Sequence, residues 1–138
     1  MSRKKDLFAA LFGIVVALIL WITILSRETQ LGGRRFYLPF HTVVTLMKDI
    51  RHAGIKSNFL GNIVLFIPIG VLFPLVTSCK NPWKIAAMGF CFSLLIETIQ
   101  LVTLKGYFDP DDVIINILGC LIGFALLRAV EMVLRKQF

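Results

Sequence analysis

Polar surface is what this sequence has least of. Only 17% of its 138 residues are charged while 57% are hydrophobic, and the mean hydropathy is +0.83. A soluble domain of this length cannot cover itself with so little polar surface. Cysteine is scarce too: Cys79, Cys91 and Cys120 are too few and too scattered for a disulfide framework and include no C-x-x-C pair. Two of them fall inside apolar runs, where a free Cys packs as a small hydrophobe. His41 and His52 offer no zinc-ligand pattern, so neither a metal nor a cofactor is predicted. There is no G-x-S-x-G and no H-E-x-x-H, which leaves an enzymatic role unsupported. The basic residues lie along the flanks of apolar runs without an RNP-type motif, which excludes nucleic acid as the natural partner.

What is present in quantity is apolar sequence, in four stretches of about residues 7–25, 59–76, 85–104 and 113–133. Each is long enough to cross a hydrocarbon core of roughly 30 Å at about 1.5 Å per residue. The expected architecture is all-α, with four transmembrane helices in one domain spanning residues 1–138. Asn62, Pro68, Gly70 and Pro74 interrupt the second stretch and predict a kinked helix there. The first run follows Arg3, Lys4 and Lys5, yet Ser26-Arg27-Glu28 offers no small-residue cleavage pattern, so this run is expected to remain as an anchor. Between the first two spans, Phe40, Val43, Val44, Met47 and Ile50 recur at helical spacing opposite Thr45, Lys48, Asp49, Arg51 and His52. That pattern predicts an amphipathic helix, either in the membrane interface or capping the bundle. Basic residues at Arg3/Lys4/Lys5, Lys80/Lys84 and Arg128/Arg135/Lys136 predict both termini in the cytoplasm. The opposing count between Ser26 and Asn58 is nearly as large.

Against this apolar background, Glu97 stands out. A carboxylate inside a span costs roughly 2.5–3.5 kcal/mol on insertion scales and needs a partner in the bundle interior or a water-filled cavity, which makes it a functional-site candidate. Gln100 lies one turn further along the same face. In a four-span chain, Asn62, Glu97, Gln100, Asp109, Asp112 and Asn116 fall near one membrane boundary together with Arg34 and Arg35. N-in orientation makes that boundary the outer one. Plainer readings stand beside the functional one. Asp109 to Asp112 suit a helix N-terminus. Gly119 and Gly123 form a G-x-x-x-G suited to close helix packing. Asn58 and Asn62 suit capping or interhelical hydrogen bonds. Glu97 itself suits interhelical glue, as a neutral acid bonded to Gln100 or Asn62. The functional alternatives for Glu97 are a proton-sensitive site, a cation site shared with Asp109 and Asp112, or a general acid/base.

Four motifs in order carry a family resemblance from about residue 34 to 124. They are Arg35-Phe36-Tyr37-Leu38-Pro39-Phe40; Asn62-Ile-Val-Leu-Phe66-Ile-Pro68-Ile-Gly70; Glu97-x-x-Gln100; and Asp109-x-x-Asp112-Val113-x-x-Asn116-x-x-Gly119-x-x-x-Gly123. In these the chain resembles the VanZ-like membrane proteins, a family associated with low-level resistance to teicoplanin. It departs from many relatives at Tyr37, where they have Asn, and at Lys105-Gly106, where they have an Arg ahead of the first loop Asp; a lysine lacks the bidentate fork of an arginine. The resemblance implies a multi-pass protein of the bacterial cell membrane that affects susceptibility to glycopeptide or other cell-envelope antibiotics. It implies membrane lipids as partners and, beyond them, a lipid-linked wall precursor, a lipoglycopeptide or a second copy of the chain. The rival expectation is a small membrane enzyme or transporter acting on phospholipids or polyprenyl phosphates. A transporter is disfavoured by four spans without an internal repeat.

Overall fold

The computed structural model describes residues 3–29, 36–40, 44 and 53–136, with 53–58 and 136 described by backbone alone. Four long helices account for nearly all of it. Helix α1 covers Arg3–Leu20 and continues into one π-helical turn at Trp21–Leu25, α2 covers Ala53–Thr77, α3 covers Pro82–Val102 and α4 covers Pro110–Lys136. All four are long and apolar enough to cross a membrane, over Arg3–Leu25, Phe59–Thr77, Pro82–Val102 and Pro110–Arg135. The third span therefore starts three residues before the predicted run and stops two before its end. The difference has a local cause at each terminus. Asn81 caps the start, its side chain accepting from the Trp83 N–H at 2.9 Å with Pro82 in the first helical position. At the other end Leu104 turns left-handed, φ 56°, and the Lys105 N–H closes back on the Gln100 carbonyl at 3.0 Å.

Helix α2 runs unbroken through Pro68 and Pro74. It packs most extensively on α4, and the seam is made of small residues on both sides. A Cβ at Gly119 or Gly123 would run into the backbone carbonyls of Ile63 and Ile67, and one at Gly70 into the carbonyl of Cys120. The predicted G-x-x-x-G is thus a close-approach surface, answered by a glycine on the facing helix. Around it the core gathers Ile19, Phe66, Ile69, Ile85, Ile96, Cys120 and Phe124. Most remaining large apolar side chains, such as Leu18, Val64, Leu95, Ile114 and Val130, face outward, as a bundle solvated by lipid requires. A cleft of about 440 Å³ between α1, α2 and α3 is lined by Phe12, Val16, Phe73, Met88, Cys91, Phe92 and Leu95.

The expected amphipathic helix after the first span lies outside the described residues, apart from a helical-turn bond from the Val44 N–H to the Phe40 carbonyl at 2.9 Å. Arg35 lies outside them as well.

Candidate functional site

The end of α3, the start of α4 and the loop between them form a polar knot at one end of the bundle. Asp109 caps α4: its Oδ1 accepts from the Asp111 N–H at 2.9 Å, with Pro110 in the first turn. The Asp109 N–H, preceding the helix, donates to Glu97 Oε2 at 2.9 Å. Glu97 is 3% exposed, so this buried carboxylate is held by the backbone of the loop rather than by Gln100 or Asn62. Gln100, equally buried, instead donates through Nε2 to the carbonyl of Thr23 at 2.9 Å, which ties α3 to the π-helical turn ending α1. Asn62 on α2 bonds the half-buried Asp112 on α4. One turn deeper, Asn116 Nδ2 donates to Ser93 Oγ at 2.8 Å, joining α4 to α3.

A second layer lies over this one. The Tyr37 N–H donates to the Phe108 carbonyl at 3.0 Å in a short parallel bridge between Phe36 and Phe108, and the Tyr37 ring meets Tyr107 edge-on at 5.4 Å. Phe40 adopts a left-handed backbone, φ 65°, unusual for a bulky residue, and its N–H is held by Asp111 Oδ1 at 2.6 Å. The turn Leu38-Pro39-Phe40 is therefore pinned to the start of α4 by a carboxylate that the helix does not need for its own cap. Arg27, just beyond α1, comes close to the loop: a Cβ at Gly106 would lie 3.3 Å from both Arg27 Nη1 and Gln100 Oε1. From there its charge attracts both Glu97 and Asp112, while those two carboxylates repel each other. Among the described residues no group of three His, Cys, Asp or Glu side chains is placed to hold a metal ion.

Six of the predicted site residues, Asn62, Glu97, Gln100, Asp109, Asp112 and Asn116, thus meet across three helices and one loop. A family model for VanZ/LLP1 matches residues 8–133, nearly the whole chain. The chain belongs to the VanZ/LLP1 family. No curated protein and no solved structure matches it.

For this VanZ/LLP1 protein the motifs sort by role. Asn62, Glu97, Asp112 and Asn116 face one another at the knot, Gln100 and Asp109 lock its frame, and Gly119 and Gly123 let α2 come close enough for Asn62 to reach Asp112. Three contributors went unnoticed in the sequence, and a fourth, Asp111, is read there only with its acidic neighbours. Thr23 serves through a main-chain carbonyl, which no side chain announces. Arg27 looks like one basic flank residue among many. Asp111 is expected beside Asp109 and Asp112 at the start of the helix, but not as the acceptor for the Phe40 N–H. Ser93 alone had a legible signal: it stands four residues before Glu97, as Asn116 stands four after Asp112, so the two pairs share facing helical stripes.

Proposed function

We propose that this multi-pass membrane protein works in the bacterial cell membrane with both termini in the cytoplasm. The polar knot then lies near the outer face, where it affects susceptibility to teicoplanin-type glycopeptides or other cell-envelope antibiotics. The observation that carries the reading is the carboxylate pair Glu97 and Asp112, buried or half-buried at one end of the bundle and facing across α3 and α4. Isolated carboxylates in a helical bundle are costly to retain for packing alone. Drugs of this class that carry an acyl chain act at the membrane surface. A protein whose described structure is confined to the bundle and its boundary discriminates such drugs by what they do at that boundary, through their anchoring or through lipid-linked wall precursors.

The test is expression in a susceptible bacterial host, with inhibitory concentrations measured for teicoplanin and for unacylated vancomycin. Teicoplanin susceptibility should fall at least about fourfold more than vancomycin susceptibility, a difference near 1 kcal/mol in effective drug engagement. Glu97→Gln keeps the shape and the bond from the Asp109 N–H but removes the charge. A variant that accumulates normally and loses the effect supports a role for that charge. Full activity in Glu97→Gln leaves Glu97 as structural glue and refutes the charge-based reading.

A further inference from the structure

Beneath the carboxylate pair lies an acceptor with nothing to accept. Asn116 is 4% exposed, its Nδ2 is spent on Ser93, and its Oδ1 has no hydrogen-bond partner. An orphaned buried carbonyl costs about 1–3 kcal/mol, and native proteins seldom leave one without a ligand or water to fill it. Its surroundings say what kind of group is missing. Asp112 stands one turn above Asn116 on α4, and Glu97 one turn above Ser93 on α3, so the two carboxylates form the upper rung of a ladder whose lower rung is the Asn116–Ser93 bond. Residues four apart on a helix are about 5–6 Å apart at Cβ, so one small group seated between the rungs reaches both the Asp112 carboxylate and Asn116 Oδ1.

The unpaired atom is an acceptor, and so are the two carboxylates beside it when ionised, which disfavours an anion. Among the described residues each carboxylate has one donor, the Asp109 N–H for Glu97 and Asn62 for Asp112, and neither is in an ion pair. A water satisfies Asn116 but brings no charge to two mutually repelling carboxylates. A protonated primary amine brings both, with three N–H donors and a positive charge. Arg27 offers the complement: its exposed guanidinium lies beside Gly106, close enough to attract both carboxylates, and is suited to a phosphate. Asp112 is only half-buried, so part of the cluster is accessible.

We propose that Glu97, Asp112 and the free Asn116 Oδ1 bind the ammonium of a phosphoethanolamine-type headgroup, with Arg27 on its phosphate. The proposal rests on reading the polar knot as the working site, and it names the chemistry that the knot takes.

The test uses the full chain purified in detergent and incubated with equimolar phosphatidylethanolamine and phosphatidylcholine of identical acyl chains, with retained lipid counted by native mass spectrometry. Choline carries the same phosphate and charge without any N–H. Phosphatidylethanolamine should be retained about tenfold over phosphatidylcholine, as charge-assisted hydrogen bonds from an ammonium imply. Asn116→Ala and Asp112→Asn should each bring that ratio close to one, and Arg27→Gln should weaken retention of both lipids alike while leaving the ratio. Competition by soluble glycerophosphoethanolamine would show that the headgroup alone suffices, and its failure to compete beside an intact lipid preference would make the membrane lipid the source. Equal retention of the two lipids by the unaltered protein overturns the proposal, as does a preference that persists in both Asn116→Ala and Asp112→Asn. Since the readout is lipid retention in vitro, an altered drug susceptibility alongside equal retention would sink the amine site alone, and a lipid preference without any drug effect would sink only the resistance reading.

Discussion

The two ends of this bundle are held together in different ways. At the end where α3 passes to α4, hydrogen bonds join residues 12, 23, 71 and 77 positions apart, among them Asp109 to Glu97, Asn116 to Ser93, Phe40 to Asp111 and Gln100 to Thr23. At the end where α2 passes to α3, the described bonds are all local, from Ser78 to Pro74, Thr77 to Phe73, Cys79 to Thr77 and Trp83 to Asn81. That turn needs nothing from the rest of the chain, and the apolar cleft nearby is lined by Phe, Val, Met, Leu and Cys side chains. A fold that only had to join helices would treat its two ends alike. The concentration of long-range polar contacts at one of them marks the place where relative helix position matters, because polar networks specify a geometry that apolar packing alone leaves loose.

The sharpest way to break the contrast is to spread the helices that both ends share. Gly123→Leu places a side chain against the Ile67 carbonyl and the Val71 nitrogen, both main chain and unable to step aside. α2 and α4 must separate, at a cost of about 3 kcal/mol or more. Both ends should lose protection together, seen as a collapse of thermal stability in detergent and faster hydrogen exchange across the whole of α2 and α4. A variant that loosens only the Ile67 region would mean that the knot holds itself together without the seam.

The next effect is confined to one end. Asp109→Ala removes the cap of α4 while Glu97 keeps its donor, the residue-109 N–H, and the loss should be about 1 kcal/mol. Exchange should quicken at residues 105–112 and stay unchanged at Trp83 to Ile85. Asn81→Ala is the mirror experiment, of similar size, and should leave the residues around Glu97 untouched. If Asn81→Ala also disturbs the knot, the two ends are coupled and the comparison fails.

How much of this was readable beforehand follows the same divide. Helix number and type come from apolar runs of membrane length, a signal that survives any tertiary arrangement, and so does the packing role of Gly119 and Gly123. The membership of the knot was readable for Asn62, Glu97, Gln100, Asp109, Asp112 and Asn116, since a polar side chain in an apolar run has to find company. Who bonds whom was not. Helical spacing put Gln100 beside Glu97, yet its amide turns to Thr23 on another helix, and Glu97 takes a main-chain N–H from a loop whose path depends on Leu104 turning left-handed. Spacing along one helix reports which face a residue lies on, whereas partners across helices depend on crossing geometry that no single segment encodes.

The smallest expected effects set the two α-helix C-termini against each other. Ser78 follows α2 with φ 60° and Leu104 follows α3 with φ 56°, each a non-glycine residue in the left-handed region that ends many helices. Glycine at either position relieves a backbone cost of about 1 kcal/mol, offset in part by the greater freedom it gives the unfolded chain. Ser78 is exposed and its side chain has little to lose, so Ser78→Gly should raise the unfolding midpoint slightly, by an amount near 0.5 kcal/mol. Leu104 is half-buried over the loop that carries Asp109, so Leu104→Gly gives up apolar contact of similar size and should come out close to neutral. Side-by-side thermal unfolding of the two variants measures that difference directly. A gain at Leu104 equal to the gain at Ser78 would show that the leucine side chain does nothing to hold the loop, leaving the Asp109–Glu97 bond and the Lys105–Gln100 closure to position it alone.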